Sequence, residues 1–217
     1  MKKDNMCARY SLGLSETSRP KVSLPERLRR ANIAPSLEIA VVHSGHSLLE
    51  GAIWGMKPAW SKSLLINARS ETVAEKPFYR GLLKSQRCLI PATGFFEWRE
   101  ENGRKQPYRF RLKSQAPFWM AGLWRMDDQK SAPGVVILTT SPNELMSSYH
   151  NRMPVLIADD DAEAWLNSDY EIISDLLPLL LPAPAEPMEV FPVNPEMGKP
   201  GYQGDDLETP WQSSSLF

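Results

Sequence analysis

The stretch Met6-Cys7-Ala8-Arg9-Tyr10 places a cysteine directly behind a methionine that can itself start translation. If the mature chain begins after Met6, Cys7 carries an α-amine and a thiol on adjacent carbons. Two such nucleophiles attack one aldehyde in succession and close a five-membered thiazolidine ring, which no internal residue can do. The α-amine has a pKa of about 7.7 to 8.0 against about 10.4 for lysine, so a few hundredfold more of it is free near neutrality. The thiol, once partly ionised, is the better nucleophile of the two. The alternative is a lone cysteine acting as a small buried apolar side chain.

Other residues carry chemistry of their own. Glu97 lies between Phe96 and Trp98. An apolar flank there would raise its pKa toward acid-base use, whereas strict strand alternation would turn it to solvent, opposite the two aromatics. His150 follows a short predicted helix and precedes a strand, a position from which it reaches a cleft or serves structure. Asn67-Ala68-Arg69-Ser70-Glu71-Thr72 is a dense polar run between apolar segments and reads as a loop. His43 and His46 flank a predicted turn with no carboxylate or cysteine nearby, so they read as exposed and not as metal ligands. Cys7 and Cys88 lack both disulfide-framework and zinc spacing.

The formal net charge of -1 conceals a division: residues 1 to 113 hold 21 Lys+Arg against 10 Asp+Glu, and the remainder 4 against 16. Arg27, Arg29 and Arg30, then Arg80, Lys84 and Arg87, then Arg104 and Lys105, either line a phosphate-binding face or are solvated charges balanced by the acidic half. No apolar run reaches 18 residues and the N-terminus lacks a signal peptide, so a cytoplasmic protein is expected.

The elements that must position these residues are short. Helices are expected near Glu26 to Ala31, over Phe78 to Lys84, and over Asp160 to Leu166 within Asp159 to Leu181. Another should start at the capping box Ser141-Pro142-Asn143-Glu144. Asn32-Ile33-Ala34-Pro35 reads as a turn or extended loop. Strands are expected over Leu37 to Val42 and Leu48 to Gly55, joined near Ser44-Gly45, and over Arg87 to Pro91. Gly94 to Arg99 should turn back at Asn102-Gly103 into Pro107 to Leu112, and Phe118 to Trp124 continues that sheet. Val135 to Thr140, Val155 to Ile157 and Glu189 to Val193 complete the set. The fold class is α+β, predominantly antiparallel, with sheets curling toward a barrel. One domain is expected over residues 6–195, after a leader or mis-assigned start at 1–5 and before a partly ordered tail at 196–217.

Taken together, Met6-Cys7-Ala8-Arg9-Tyr10, Asn32-Ile33-Ala34-Pro35, Trp54-Gly55 with Pro58 and Trp60, Asn67 to Thr72, Gly94-Phe95-Phe96-Glu97-Trp98 and His150-Asn151-Arg152-Met153-Pro154 resemble the SRAP family of SOS-response-associated peptidases, or abasic-site processing proteins. The resemblance implies a monomer that shields abasic sites in single-stranded DNA by a thiazolidine crosslink. It would need no cofactor or metal and would join the bacterial nucleoid when bound to DNA, and a partner in the replication machinery is left open. Cys7 would be the nucleophile, Asn67 would hold the linkage, and Glu97 and His150 would handle protons. Arg9 and Arg69 would take phosphates, Asn32 and Pro35 would wedge into the strand, and Trp54 and Trp98 would stack on bases unless they pack in the core. Lyase action on the abasic strand and self-removal of the leader belong to the same implied activity. Two departures stand out: Ala8 where the family usually has glycine, and the five residues before Met6. Competing readings are an N-terminal-cysteine autopeptidase or amidase using Cys7, His150 and Asn67, and a plain single-strand binding module.

Overall fold

The computed structural model describes residues 8–13, 25–44, 47–48, 51–127, 132–167, 176–199 and 201–212. Cys7, the leader and the Gly45-His46 turn lie outside them. Along the described chain run β1 (Tyr10–Leu12), β2 (Arg30–Ile33), β3 (Val42–His43), β4 (Ser47–Leu48), β5 (Ile53–Trp54), β6 (Asn67–Arg69), α1 (Ser70–Val73), α2 (Pro77–Ser85), β7 (Arg87–Ala92), β8 (Gly94–Glu101) and β9 (Arg104–Leu112). They are followed by β10 (Phe118–Met126), β11 (Pro133–Thr140), α3 (Glu144–Ser147), β12 (Met153–Pro154), β13 (Leu156–Ile157), α4 (Ala162–Asn167) and β14 (Met188–Pro192). The α+β expectation holds.

A smaller, wholly antiparallel sheet has the order β14-β9-β8-β1-β2. The larger sheet follows β12-β11-β10-β7-β3-β4, with β5 and β6 laid parallel on β11. Strand parity explains how they stack. In β7 and β11, Cys88, Ile90, Val135 and Ile137 face the core between the sheets, where Phe95 and Phe110 of the smaller sheet meet them. Leu89, Val136 and Leu138 face the other way, onto Leu82 and Leu83 of α2 and Trp165 of α4. Strands covered on both faces read as continuous apolar runs. On the far side of the smaller sheet, Phe96, Phe191 and Val193 are covered by Met197 and Leu207 of two C-terminal 3-10 turns, Pro195–Gly198 and Asp205–Glu208.

The larger sheet curls because a strand is driven into it. Met153 and Pro154 pair with Thr140 and Thr139 of β11, while Leu156 and Ile157 pair with Met120 and Trp119 of β10. Val155 bridges the two, donating to the Leu138 carbonyl and accepting from Ala121 N–H, each at 2.9 Å. β10 and β11 are therefore paired at one end and held apart at the other.

The Asn102-Gly103 hairpin forms as predicted, with φ of 50° and 75° at the two turn residues. Several local readings need correction. Only Glu26–Leu28 is helical, as one 3-10 turn, because Arg30–Ile33 is drawn into a ladder with β1; Asn32 and Ile33 are strand. Asn67 to Thr72 is strand then helix, held by pairing to β11 and not by any periodicity of its own. Phe118 to Trp124 joins the larger sheet and not the hairpin sheet. The cap of α3 is Asn143, whose side chain accepts from Met146 N–H, two residues beyond Ser141. His43 is half-buried, its ring 5.8 Å from that of Trp124.

Gly122 of β10 has no room for a side chain: a Cβ there would stand 2.3 Å from Ile90 Cδ1 and 3.1 Å from the Val136 carbonyl. Gly122→Val should lower stability by about 1–3 kcal/mol through overpacking, read as a lower urea midpoint.

Candidate functional site

Three of the residues singled out in the sequence, Asn67, Glu97 and His150, come from two separate strands and one turn, and contacts between their neighbours link them. Glu97 lies on the same face of β8 as Phe95 and is only 4% exposed. The alternation reading is thus half right: Glu97 is opposite Phe96 and Trp98, but the face it occupies is interior and those two aromatics pack on the C-terminal layer. Asn67 pairs with Ile137 in a parallel ladder, so it shares the inter-sheet face with that core residue, as does Arg69 across from Thr139. Tyr10 pairs with Phe95, and Phe96 N–H donates to the Arg9 carbonyl at 3.0 Å. The same register places Ala8 across from Glu97.

His150 ends the α3 turn, its N–H donating to the Met146 carbonyl at 3.0 Å. The backbone N–H of Arg152 donates to His150 Nδ1 at 3.2 Å, which in the neutral ring leaves the proton on Nε2. Arg152 is itself buried, with a forked grip in which Nη1 and Nη2 donate to the two Glu71 carboxylate oxygens, the second at 2.8 Å. It also donates to the Thr139 carbonyl at 2.5 Å and to Thr139 Oγ1 at 3.3 Å. The hydrogen bond from Arg152 is the main cause that holds the Glu71 carboxyl below its ordinary pKa. This grip, which the sequence reading did not single out, ties the Asn67 and His150 motifs together across 81 positions.

Beside Glu97 the ladder partner is Tyr108, whose ring lies 4.8 Å from that of Tyr149. Burial first, and its hydrogen bond to Glu101 second, push the Tyr108 hydroxyl pKa up to about 12.

The residues expected to meet nucleic acid divide. Arg69 is exposed and Pro35 and Trp98 are half-exposed. Trp54 is 0% exposed, its indole N–H donating to the Ile66 carbonyl at 3.0 Å and its ring edge-on to Tyr10, so it is a core residue with no face for a base. Asn32 is equally committed: Nδ2 donates to the Met197 carbonyl and Oδ1 accepts from Arg9, which removes it as a wedge. Arg9 also donates to the Met197 carbonyl, and burial lowers its pKa. Arg87 is buried too, capping α2 through the Leu83 and Lys84 carbonyls. The aromatic that does face solvent is Trp60, 65% exposed and edge-on to Phe78. Its place in the proline-rich loop after Trp54 was the available signal. Among the described residues no group of three or more His, Cys, Asp or Glu side chains is arranged for a metal ion, and no helix is long and apolar enough to cross a membrane.

A sequence profile described as SOS response associated peptidase (SRAP) matches residues 6–200. The chain belongs to the SRAP family. Among its relatives, Abasic site processing protein YoaM of Bacillus subtilis (strain 168) is 40% identical over 187 residues, covering 81% of this chain and 82% of that one. Abasic site processing protein YedK of Escherichia coli (strain K12) is 29% identical over 197 residues, covering 86% of each. A crystal structure of a Bacteroides thetaiotaomicron protein shares the fold with a TM-score of 0.74 at 26% identity, over 83% of this chain and 85% of that one. The family match spans both strands that bring Asn67 and Glu97 to the inter-sheet face, and the turn that carries His150.

Arg152→Met removes a buried cation with its hydrogen bonds to Glu71 and Thr139, which should cost about 1–3 kcal/mol in chemical denaturation. The Glu71 contribution has a definite pH dependence. Its folded pKa lies below the ordinary value of 4.5, so the stabilisation is present above that value and lost as pH falls through the lowered one. Wild type should therefore exceed Glu71→Gln in stability near neutrality, and the two unfolding curves should converge in acid.

Proposed function

We propose that this chain captures abasic sites in single-stranded DNA through a thiazolidine formed by Cys7 as the mature N-terminal residue, with residues 1–6 removed. The observation that carries the reading is the β1–β8 register: it places Ala8 across from buried Glu97, and one peptide bond, about 3.8 Å between Cα atoms, tethers Cys7 to Ala8. The relatives named as abasic site processing proteins support the same reading.

The chemistry follows the groups available. An abasic deoxyribose opens to an aldehyde when its anomeric hydroxyl gives up a proton and its ring oxygen takes one; water exchanges these protons, and His150 assists by hydrogen-bonding its Nε2–H to the departing ring oxygen. The Cys7 amine adds to the aldehyde carbon, and the carbinolamine loses one water to become an imine, with Glu97 moving the protons. The Cys7 thiolate then adds to the imine carbon, and the nitrogen takes up a proton. One C–N and one C–S bond form and one water leaves, with no oxidation. Asn67, on the facing sheet, holds the linkage by hydrogen bonding. Arg69 takes a phosphate, and the exposed ring of Trp60 takes the stacking role expected of Trp54.

Mass spectrometry of the protein incubated with single-stranded DNA bearing one abasic site should show a single adduct on Cys7, one water lighter than the sum of its parts. Cys7→Ser should abolish it; an adduct of equal yield on that variant would overturn the reading. Glu97→Gln should slow adduct formation by about 100-fold or more, the range of a positioned acid-base group, while affinity for undamaged strand is kept. Equal loss of both would make Glu97 structural.

A further inference from the structure

We infer that Arg99 is a positioning residue for His150, acting through the ring of Tyr149. The inference rests on the proposed proton role of His150, but its geometry stands alone. Arg99 is two residues beyond Glu97 on the same face of β8. Its guanidinium carbon lies 4.8 Å from the centre of the Tyr108 ring and 4.7 Å from that of Tyr149, and the two rings are 4.8 Å apart, so the cation caps the pair at the corner of a near-equilateral triangle. Glu101 accepts from its Nε at 2.7 Å, and the Tyr108 hydroxyl accepts from Nη2 at 3.0 Å. The Glu101 hydrogen bond is the main cause that raises the Arg99 pKa, so the cation persists at any working pH. Phe110 closes the nest, its ring edge-on to Tyr149 at 5.1 Å.

Tyr149 is joined by one peptide bond to His150. On the other side of that histidine, Arg152 donates its N–H to Nδ1 and is anchored to Glu71 and Thr139. His150 is thus suspended between two clamps, Arg99 and Tyr108 of the smaller sheet on one side and Glu71 of α1 with Thr139 of the larger sheet on the other. The floor of the first clamp is Tyr108, the ladder partner of Glu97. One strand step therefore sets Glu97 and, through Arg99 and Tyr149, the turn that carries His150. Arginine suits the position because a planar, weakly hydrated guanidinium packs over two adjoining rings while its N–H groups reach Glu101 and Tyr108, which an ammonium does less well.

The test uses the full chain and four variants: Arg99→Met, Arg99→Lys, Tyr149→Leu and Tyr149→Phe. Three quantities are read: the single-turnover rate of adduct formation, the affinity for a strand carrying an unreactive tetrahydrofuran abasic analogue, and the NMR signal of the His150 imidazole without DNA. Arg99→Met and Tyr149→Leu should lower the rate about 10- to 100-fold, the scale set by a misplacement near 1 Å, with analogue affinity unchanged and the imidazole signal moved. Arg99→Lys should fall between, and Tyr149→Phe, which keeps the ring, should match wild type. A wild-type rate in Arg99→Met, an unmoved imidazole signal, or equal loss of rate and affinity would overturn the inference. A wild-type protein that forms no adduct would instead defeat the proposed function, and the imidazole signal would still judge the clamp.

Discussion

A buried guanidinium must be met by acceptors in fixed directions, and Arg152 is met by three: the Glu71 carboxylate, the Thr139 carbonyl and the Thr139 hydroxyl. Uncompensated, such a cation would be among the most costly groups in the molecule. Compensated, it is a joint. Glu71 stands in α1 directly after the strand that carries Asn67, Thr139 is the penultimate residue of the strand on which Asn67 is paired, and Arg152 is two residues beyond His150. A planar fork tolerates little rotation. The separation between Asn67 and His150 is accordingly fixed by one set of hydrogen bonds and not by the loops between them.

The same end of the molecule departs from ordinary core logic. Most of the inter-sheet space is filled by aromatic and aliphatic side chains such as Phe95, Phe110, Ile137 and Met120. Toward the Ala8 end the apolar packing gives way to Glu97, Asn67 and the Arg99 nest. Burying a carboxylate has a cost that packing alone does not offset, and a fold keeps such a group where it is used. Cys88 shows the contrast: it lies in the apolar part of the same core, and burial pushes its thiol pKa well up, making it an inert space-filler.

Much of the fold was legible in the sequence, and the limits are physical. β7, β8 and β11 are dense in apolar and β-branched residues, and the Asn102-Gly103 turn supplies the positive φ its hairpin demands. The Asn67 strand could not be read, because three residues of mixed polarity become a strand only when β11 offers a partner 70 positions away. Trp54 and Asn32 were legible as conspicuous residues but not as buried ones, since their burial depends on Tyr10, Ile66 and Met197, each brought by a different segment. Glu97 was legible as a chemical candidate; which face of its strand was interior depended on a C-terminal layer that local periodicity cannot announce.

The strand driven between β10 and β11 has a consequence for how the molecule is made. Residues 153–157 leave the ribosome after both strands they separate, and the two grips on His150 require that segment to be seated. A nascent chain that has emerged only as far as β11 holds Asn67 and Glu97 on sheets that nothing yet spans. Contacts of such long sequence separation are late and slow to form. The frame around His150 is thereby completed only once residue 157 has left the ribosome, and a chain truncated before it lacks the arrangement that the proposed chemistry needs.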